Sequence, residues 1–308
     1  MGLIVLVYGI IQAGSQGWTD PDVLKLLAAG IGILILFGLW EMRSKAAMLP
    51  IYLFKNMSFT GGSLSIMLVS FSLSGSIFFL SQYLQTILGY DTLQAGLGQL
   101  PLAISLFIFA PLSSVITRRL GTKYTVALGI GVAALALLYM GLVYTTVTPY
   151  ISIAIGQILM AAGLGTAMAP TTTAIMSAIP ANKSGVGSAM NDTTRQLGGA
   201  LGVAILGAVM ASTYLAGVQN IHKTLPLLPD KAISAISNSI QGAHQIASDP
   251  RTGSDFAKTI TSIADSAFVD GMTFAMKVGA IIMLISALFV LLVLPTVSKQ
   301  SASEAAGD

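Results

Sequence analysis

The chain has 308 residues, 54% of them hydrophobic and only 9% charged, with a formal net charge of +3. A soluble domain averages about 25% charged residues, so no stretch is left for a separate folded soluble domain, and the scattered basic residues do not form the clustered basic face that nucleic-acid binding needs. Cysteine is absent, which excludes disulfides, iron–sulfur clusters and thiolate zinc sites.

Eight apolar runs qualify as membrane spans, at roughly 1–14, 23–40, 62–84, 95–116, 124–144, 150–174, 197–216 and 272–295. About 20 helical residues cross a bilayer core of about 30 Å. The pattern predicts an all-α polytopic membrane protein with about eight transmembrane helices. None of the twelve acidic side chains falls inside a run. A carboxylate at mid-membrane is costly and usually marks an ion path, so these spans lack the group a proton-driven pump normally carries.

The first run is short and starts at Met1, ending at Ser15-Gln16-Gly17. It has no basic n-region like that of a signal peptide, and Leu6 stands where a myristoylation signal wants Ser or Thr. The expectation is a span whose beginning lies outside the chain. After the second run, Met48-Leu49-Pro50-Ile51-Tyr52-Leu53-Phe54-Lys55 is too short to span and reads as an interfacial segment.

The run at 62–84 is unusually polar. Ser63, Met67, Ser70, Ser74, Phe78, Ser81 and Gln85 share one face at about 100° per residue, while Ser65, Ser72, Ser76 and Tyr83 share the opposite one. Such hydroxyls bond back to their own helix, join helices, or line a cavity. Pro101, Pro111 and Pro170 lie within or at the ends of runs and are expected to kink them. In the run at 150–174, Gln157 needs partners, because an unsatisfied amide in hydrocarbon is costly; cavity water or a neighbouring serine would serve.

Gly129-x-Gly131-x-x-Ala134 imitates a dinucleotide fingerprint, but no βαβ pattern surrounds it and the next acid downstream is Asp192. Gly198 and Gly202 form a G-x-x-x-G pair suited to close helix packing. Arg195 and Gln196 stand just before that run, with Asn191 one turn earlier. Arg195 reads either as a snorkelling anchor or as a group facing an open cavity.

Basic residues cluster in alternate loops. Arg43, Lys45 and Lys55 lie in 41–61, Arg118, Arg119 and Lys123 in 117–123, Lys183 and Arg195 in 178–196, and Lys299 in the tail. Loops 15–22, 85–94 and 145–149 carry none. Basic short loops stay inside, so both termini are expected to be cytoplasmic and loop 217–271 outside. In that loop Ile233, Ile236, Ile240, Ala243 and Ile246 keep a helical period, predicting a helix on the membrane face or the span ends. His222 and His244, the only histidines, read as solvated and too far apart for a metal pair.

A set of motifs carries a resemblance. Ala95-Gly96-Leu97 with Leu100-Pro101 opens one span, and Arg119-Leu120-Gly121 with Lys123 follows it. Ser184-Gly185-Val186-Gly187-Ser188-Ala189-Met190-Asn191 precedes Thr194-Arg195-Gln196-Leu197-Gly198-Gly199-Ala200-Leu201-Gly202, and Ala267-Phe268-Val269-Asp270-Gly271 leads into the last span. Together these resemble spans seven to fourteen of a fourteen-span drug:proton antiporter of the major facilitator superfamily. Gly17-Trp18 and Glu41-x-Arg43 resemble that family's two central linker spans.

The resemblance implies two linker helices and an interfacial loop over 1–61, a six-helix bundle over 62–296, and a cytoplasmic tail over 297–308. It implies a proton-coupled efflux antiporter for amphipathic, often cationic compounds, working in the bilayer of the cell membrane without a cofactor. The proton-coupling carboxylate would belong to a missing six-span half. The helices at 62–84 and 150–174 would line the cavity, making Ser70, Ser74, Phe78, Gln85 and Gln157 the substrate candidates. Arg118, Arg119, Lys123, Asn191, Arg195 and Gln196 are the cytoplasmic-gate candidates. At that gate Arg118 stands where the family carries an acid and Thr122 where it carries an arginine. Alternatives are a self-standing eight-span scaffold, regulatory or channel protein, and a membrane-embedded enzyme. The enzyme reading suffers because the runs hold no Asp, Glu or His.

Overall fold

The computed structural model describes residues 1–43, 51–180, 184–219, 221, 228–250 and 252–295. Ser44, Lys45, Met48, Leu49, Pro50, Lys183, His222 and the tail with Lys299 lie outside the described residues. Among those described, all regular structure is helical: α1 Gly2–Gln16, α2 Pro21–Arg43, a 3₁₀ turn Ile51–Lys55, α3 Met57–Gln82 with a π-helical turn Tyr83–Ile87, α4 Thr92–Leu97, α5 Leu100–Leu120, α6 Thr122–Val143, α7 Tyr150–Ser177, α8 Ser184–Val218, α9 Asp230–Asn238, α10 Ile240–Ala247 and α11 Ser254–Val293.

Seven of these segments are long and apolar enough to cross a membrane, α4 and α5 together forming one of them. The expected eighth, α1, has 15 residues, about 22 Å at 1.5 Å per residue, which falls short of the hydrocarbon thickness. The helices also run past the apolar runs. Asp192 lies within α8, Asp265 and Asp270 lie within α11, and Glu41 is buried in the last turn of α2. Residues 184–196, read from sequence as a loop, form the first three turns of α8. Glycine and serine there are tolerated because Met190 packs with Leu53, Phe59, Ile66, Ile175 and Ile179.

The buried core is shared by α3, α6, α7, α8 and α11. Lipid tails are as apolar as leucine, so these helices associate by close packing rather than by a hydrophobic drive. Small residues at the crossings allow it. A Cβ at Gly129 would sit 2.7 Å from the Gly163 carbonyl, joining α6 to α7, and one at Gly271 would sit 2.7 Å from the Met210 carbonyl, joining α11 to α8. Outside this core, α5 leans on α7, and α1 docks on α8 through Ile10 against Ala204 and Ala208. The helix α2 packs chiefly on α1, where Gly30 meets the backbone of Leu6.

Hydroxyls in the spans largely satisfy themselves. Ser65 Oγ donates to the Gly61 carbonyl and Ser76 Oγ to that of Ser72, each at 2.6 Å, and Thr171 does the same to Ala167. Lys277 is the one basic residue inside the last apolar run. Its stem lies in the notch left by Gly141 of α6, where a Cβ would be 2.9 Å from Lys277 Cγ. That notch lets the aliphatic stem of this half-buried lysine pack against α6.

The long segment between α8 and α11 folds back onto the bundle. Its helical period, continuous in sequence, is broken at Ser239, which has extended backbone and accepts from Gly242 N at 3.0 Å to start a new helix. Two short helices, α9 and α10, therefore form a hairpin with Ile236, Ile240 and Ala243 buried beneath it. Gly242 permits the tight return, since any Cβ there would collide with the Ala235 carbonyl. Tyr214 Oη donates to the Ile236 carbonyl at 2.8 Å, and His244 Nε2 meets Asp265 Oδ1 at 2.7 Å, tying α9 to α8 and α10 to α11. His244 is thus engaged with its neighbour, not solvated as sequence reading had it.

Candidate functional site

The polar face of α3 divides along its length. Ser63 and Ser70 are buried, whereas Ser74 is half-buried against Gly199 of α8 and Phe78 is 40% exposed. Gln85, in the π-helical turn, is exposed and donates to Ser81 Oγ at 3.0 Å. On the opposite face Ser65, Ser72 and Ser76 are buried. Ser72 Oγ reaches Met160 Sδ of α7 at 3.7 Å, so this face packs helices.

The accessible half of that face opens into a cleft of about 320 Å³, within the range of small-molecule sites. Phe78 and Gln82 of α3 form one wall and Ile11 of α1 the other. Val203, Gly207, Ala211 and Tyr214 of α8 make the floor, with Phe268 of α11 behind. Asn238, Ser239, Ile240 and Gln241 of the hairpin form the roof. Gln241 Nε2 donates to Gln82 Oε1 at 3.4 Å across the opening. Gly207 has nothing within 4 Å of where its Cβ would be, so its bare backbone widens the floor rather than admitting another helix.

Gln157 is not in this cleft. It is 0% exposed, its Nε2 donates to the Gly98 carbonyl at 2.8 Å, and its Oε1 accepts from Leu102 N at 3.3 Å. Leu102 N belongs to the first turn of α5, where backbone donors lack the regular i−4 carbonyl; besides Gln157 it reaches only the Gln99 carbonyl at 3.2 Å. Its amide therefore closes the junction between α4 and α5, in place of the cavity-lining position expected from sequence. Its protein partners are these two backbone groups, not a serine.

The gate candidates gather at the opposite end of the bundle from the hairpin. Arg118 and Arg119 are exposed in the last turn of α5, where cations complement the helix dipole. Lys123 is half-buried in the first turn of α6. Among the described residues none of the three forms an ion pair. Asn191 is buried and Arg195 half-buried one turn on, while Gln196 is exposed. Asn191 Oδ1 and Arg195 Nε are both buried without a hydrogen-bond partner among the described residues. Gly198 and Gly202 face the Met67 and Phe71 carbonyls of α3 and set how closely α8 approaches it. No cluster of His, Cys, Asp or Glu that could hold a metal occurs among the described residues.

Residues 39–203 match the model of the Major Facilitator Superfamily, which is more than half of the chain. The chain belongs to this superfamily. Membership places it among membrane transport proteins, not enzymes. The chain is similar to the "Tetracenomycin C resistance and export protein" of Streptomyces glaucescens, 28% identical over 296 residues, covering 92% of this chain and 53% of that protein. It is similar to the "Multidrug efflux pump LfrA" of Mycolicibacterium smegmatis, 32% identical over 288 residues, covering 92% and 55%. It also resembles the "Multidrug resistance protein Stp" of Mycobacterium tuberculosis, 27% identical over 279 residues, covering 89% and 51%. The chain thus spans about half the length of the curated relatives it matches. A solved structure of a bacterial homologue of the human lysosomal transporter Spinster, inward-facing and occupied, overlays with a TM-score of 0.59. It covers 96% of this chain and 67% of that one at 16% identity, a likeness of fold.

Of the residues that line the cleft, sequence reading named Phe78 and did not name Gln82, Tyr214, Phe268 or the roof residues 238–241. The helical period of the hairpin was the available signal. It located an amphipathic segment but could not say which span ends it would cover.

Proposed function

We propose that this chain forms the C-terminal part of a proton-coupled multidrug efflux antiporter in the cell membrane. The complete transporter exports amphipathic, often cationic compounds, and a second six-span half supplies the proton-coupling carboxylate. The chain contributes a six-helix bundle, with α1 and α2 as linker helices on its flank. Transport then proceeds by rocking of two bundles about a shared cavity. The observation that carries this reading is the accessible end of α3 at Phe78 and Gln82, opening on a cleft of drug-sized volume in a chain similar to export proteins.

Proteoliposomes holding this chain alone, loaded with ethidium, are expected to retain the dye when a pH gradient is imposed. No carboxylate lies inside the eight apolar runs; Asp192, Asp265 and Asp270 belong to the parts of α8 and α11 outside them. Efflux that collapses on adding a protonophore would overturn the proposed division of labour.

The same reading puts both termini in the cytoplasm and the hairpin outside. In the cysteine-free background, a cysteine in place of Thr122 should react with an impermeant maleimide only from the cytoplasmic side. One in place of Gln245, on the hairpin, should react only from outside. Labelling of position 122 from outside reverses the topology.

A further inference from the structure

We propose that the cleft beneath the α9–α10 hairpin binds one uncharged, flat aromatic molecule with a polar edge, in preference to a cation of the same shape. This assigns the cleft to the uncharged part of the proposed cargo and rests on the export reading only for the consequence that such molecules are cargo; the binding itself stands on the cleft.

Its ligand chemistry follows from what the cleft offers and what it lacks. Phe78, 40% exposed, presents an aromatic ring to the cleft, with the nearly buried Tyr214 and Phe268 behind the lining; such a ring favours offset or edge contact with a planar π-system. The floor at Gly207 is bare, leaving room for a flat body where a side chain would intrude. The polar lining side chains are neutral: Gln82 and Gln241 across the opening, Asn238 and Ser239 in the roof, and Tyr214, whose hydroxyl is taken by the Ile236 carbonyl. The Gln82 and Gln241 amides meet at 3.4 Å, the far limit of a hydrogen bond, so either can turn to a ligand's carbonyl or N–H. No described lining residue is charged. The neighbouring acid, Asp265, is held by His244 at 2.7 Å. A cation entering the cleft would lose its hydration without gaining a carboxylate. Attraction to an aromatic face alone does not replace that loss. An uncharged molecule avoids the penalty and keeps both the stacking and the amide contacts.

The test uses the full chain in phosphatidylcholine nanodiscs, which do not concentrate cations. Single cysteines replace Ala211 on the floor, Asn238 in the roof, or Thr92 on α4 as a remote control. The probes are acridone, which is neutral, and 10-methylacridinium, its cationic counterpart of nearly the same outline. Acridone should slow N-ethylmaleimide labelling at 211 and 238 at a concentration at least about tenfold lower than 10-methylacridinium needs, and leave 92 unaffected. A tenfold ratio corresponds to about 1.4 kcal/mol. Phe78→Ala should weaken acridone protection about tenfold and Phe78→Tyr should restore it; labelling without probe reports whether each variant keeps its fold. Gln241→Ala, on the exposed roof, should weaken it several-fold.

Equal protection by the two probes, or stronger protection by the cation, overturns the preference for neutral ligands. Protection by neither, protection at 92 alike, or indifference to Phe78→Ala overturns the cleft as a site. Protection by acridone with no acridone export in a complete transporter would sink the export reading and leave the binding site standing.

Discussion

Gly198→Ala and Gly202→Ala are each expected to destabilise the bundle by about 3 kcal/mol, at the upper end of what overpacking a core costs. A methyl at either position would be driven into a backbone carbonyl of α3, that of Met67 or of Phe71. A side chain in the way can change rotamer, but a helix carbonyl cannot, so α3 and α8 must separate and lose contacts along the whole crossing. The measurement is thermal unfolding of the purified protein in mild detergent, followed by loss of the monodisperse species. Gly207→Ala is the control. Its Cβ meets open space, and an unconstrained surface change of this kind stays within about 0.5 kcal/mol. Because Gly198 and Gly202 act on the same crossing, the double variant should cost less than the two singles added. Wild-type stability in Gly198→Ala would mean that the two helices do not approach as described.

Gln157→Leu is expected to cost about 2 kcal/mol, the middle of the range for leaving buried polar groups unsatisfied. Two groups lose a partner, the Gly98 carbonyl and Leu102 N. Neither is wholly orphaned. Tyr150 Oη still donates to Gly98 at 3.3 Å, and Leu102 N still reaches the Gln99 carbonyl at 3.2 Å. Tyr150→Phe alone should therefore cost under about 1 kcal/mol, and the double variant more than the sum, because only then is the Gly98 carbonyl stripped of side-chain donors. Hydrogen exchange at Leu102 gives a local readout, and faster exchange in Gln157→Leu is expected. If stability and exchange are unchanged while substrate protection is lost, Gln157 lines a transport route after all.

Much of the architecture was legible because membrane physics writes itself into composition. Runs of apolar residues, sparse charge and basic alternate loops announce spans without any tertiary information. The Gly198/Gly202 pair likewise predicted close packing, and both glycines do face a neighbouring backbone. Helix ends were less legible. A helix continues past the membrane wherever its residues find partners, as 184–196 do against α3 and α7, and hydropathy is blind to that.

What the sequence determined by itself was an all-helical membrane protein, the approximate position of seven of its eight expected spans, and its superfamily. The tertiary structure alone decided the roles of individual polar side chains. A glutamine in a span must have partners, and sequence states that need without naming who meets it; the fold gave Gln157 to the Gly98–Leu102 junction and gave Phe78 and Gln82 to the cleft. Ser65, Ser72 and Ser76 were periodic like Ser74, yet all three are buried, Ser72 against Met160 of α7 and the other two bonded back to their own helix. The hairpin makes the same point over a longer distance. Its apolar stripe required cover, but which span ends supply it depends on contacts between residues more than 20 apart, such as Tyr214 with Ile236 and His244 with Asp265. Local periodicity records how much of a side chain must be buried, while its neighbours are set by how the helices cross.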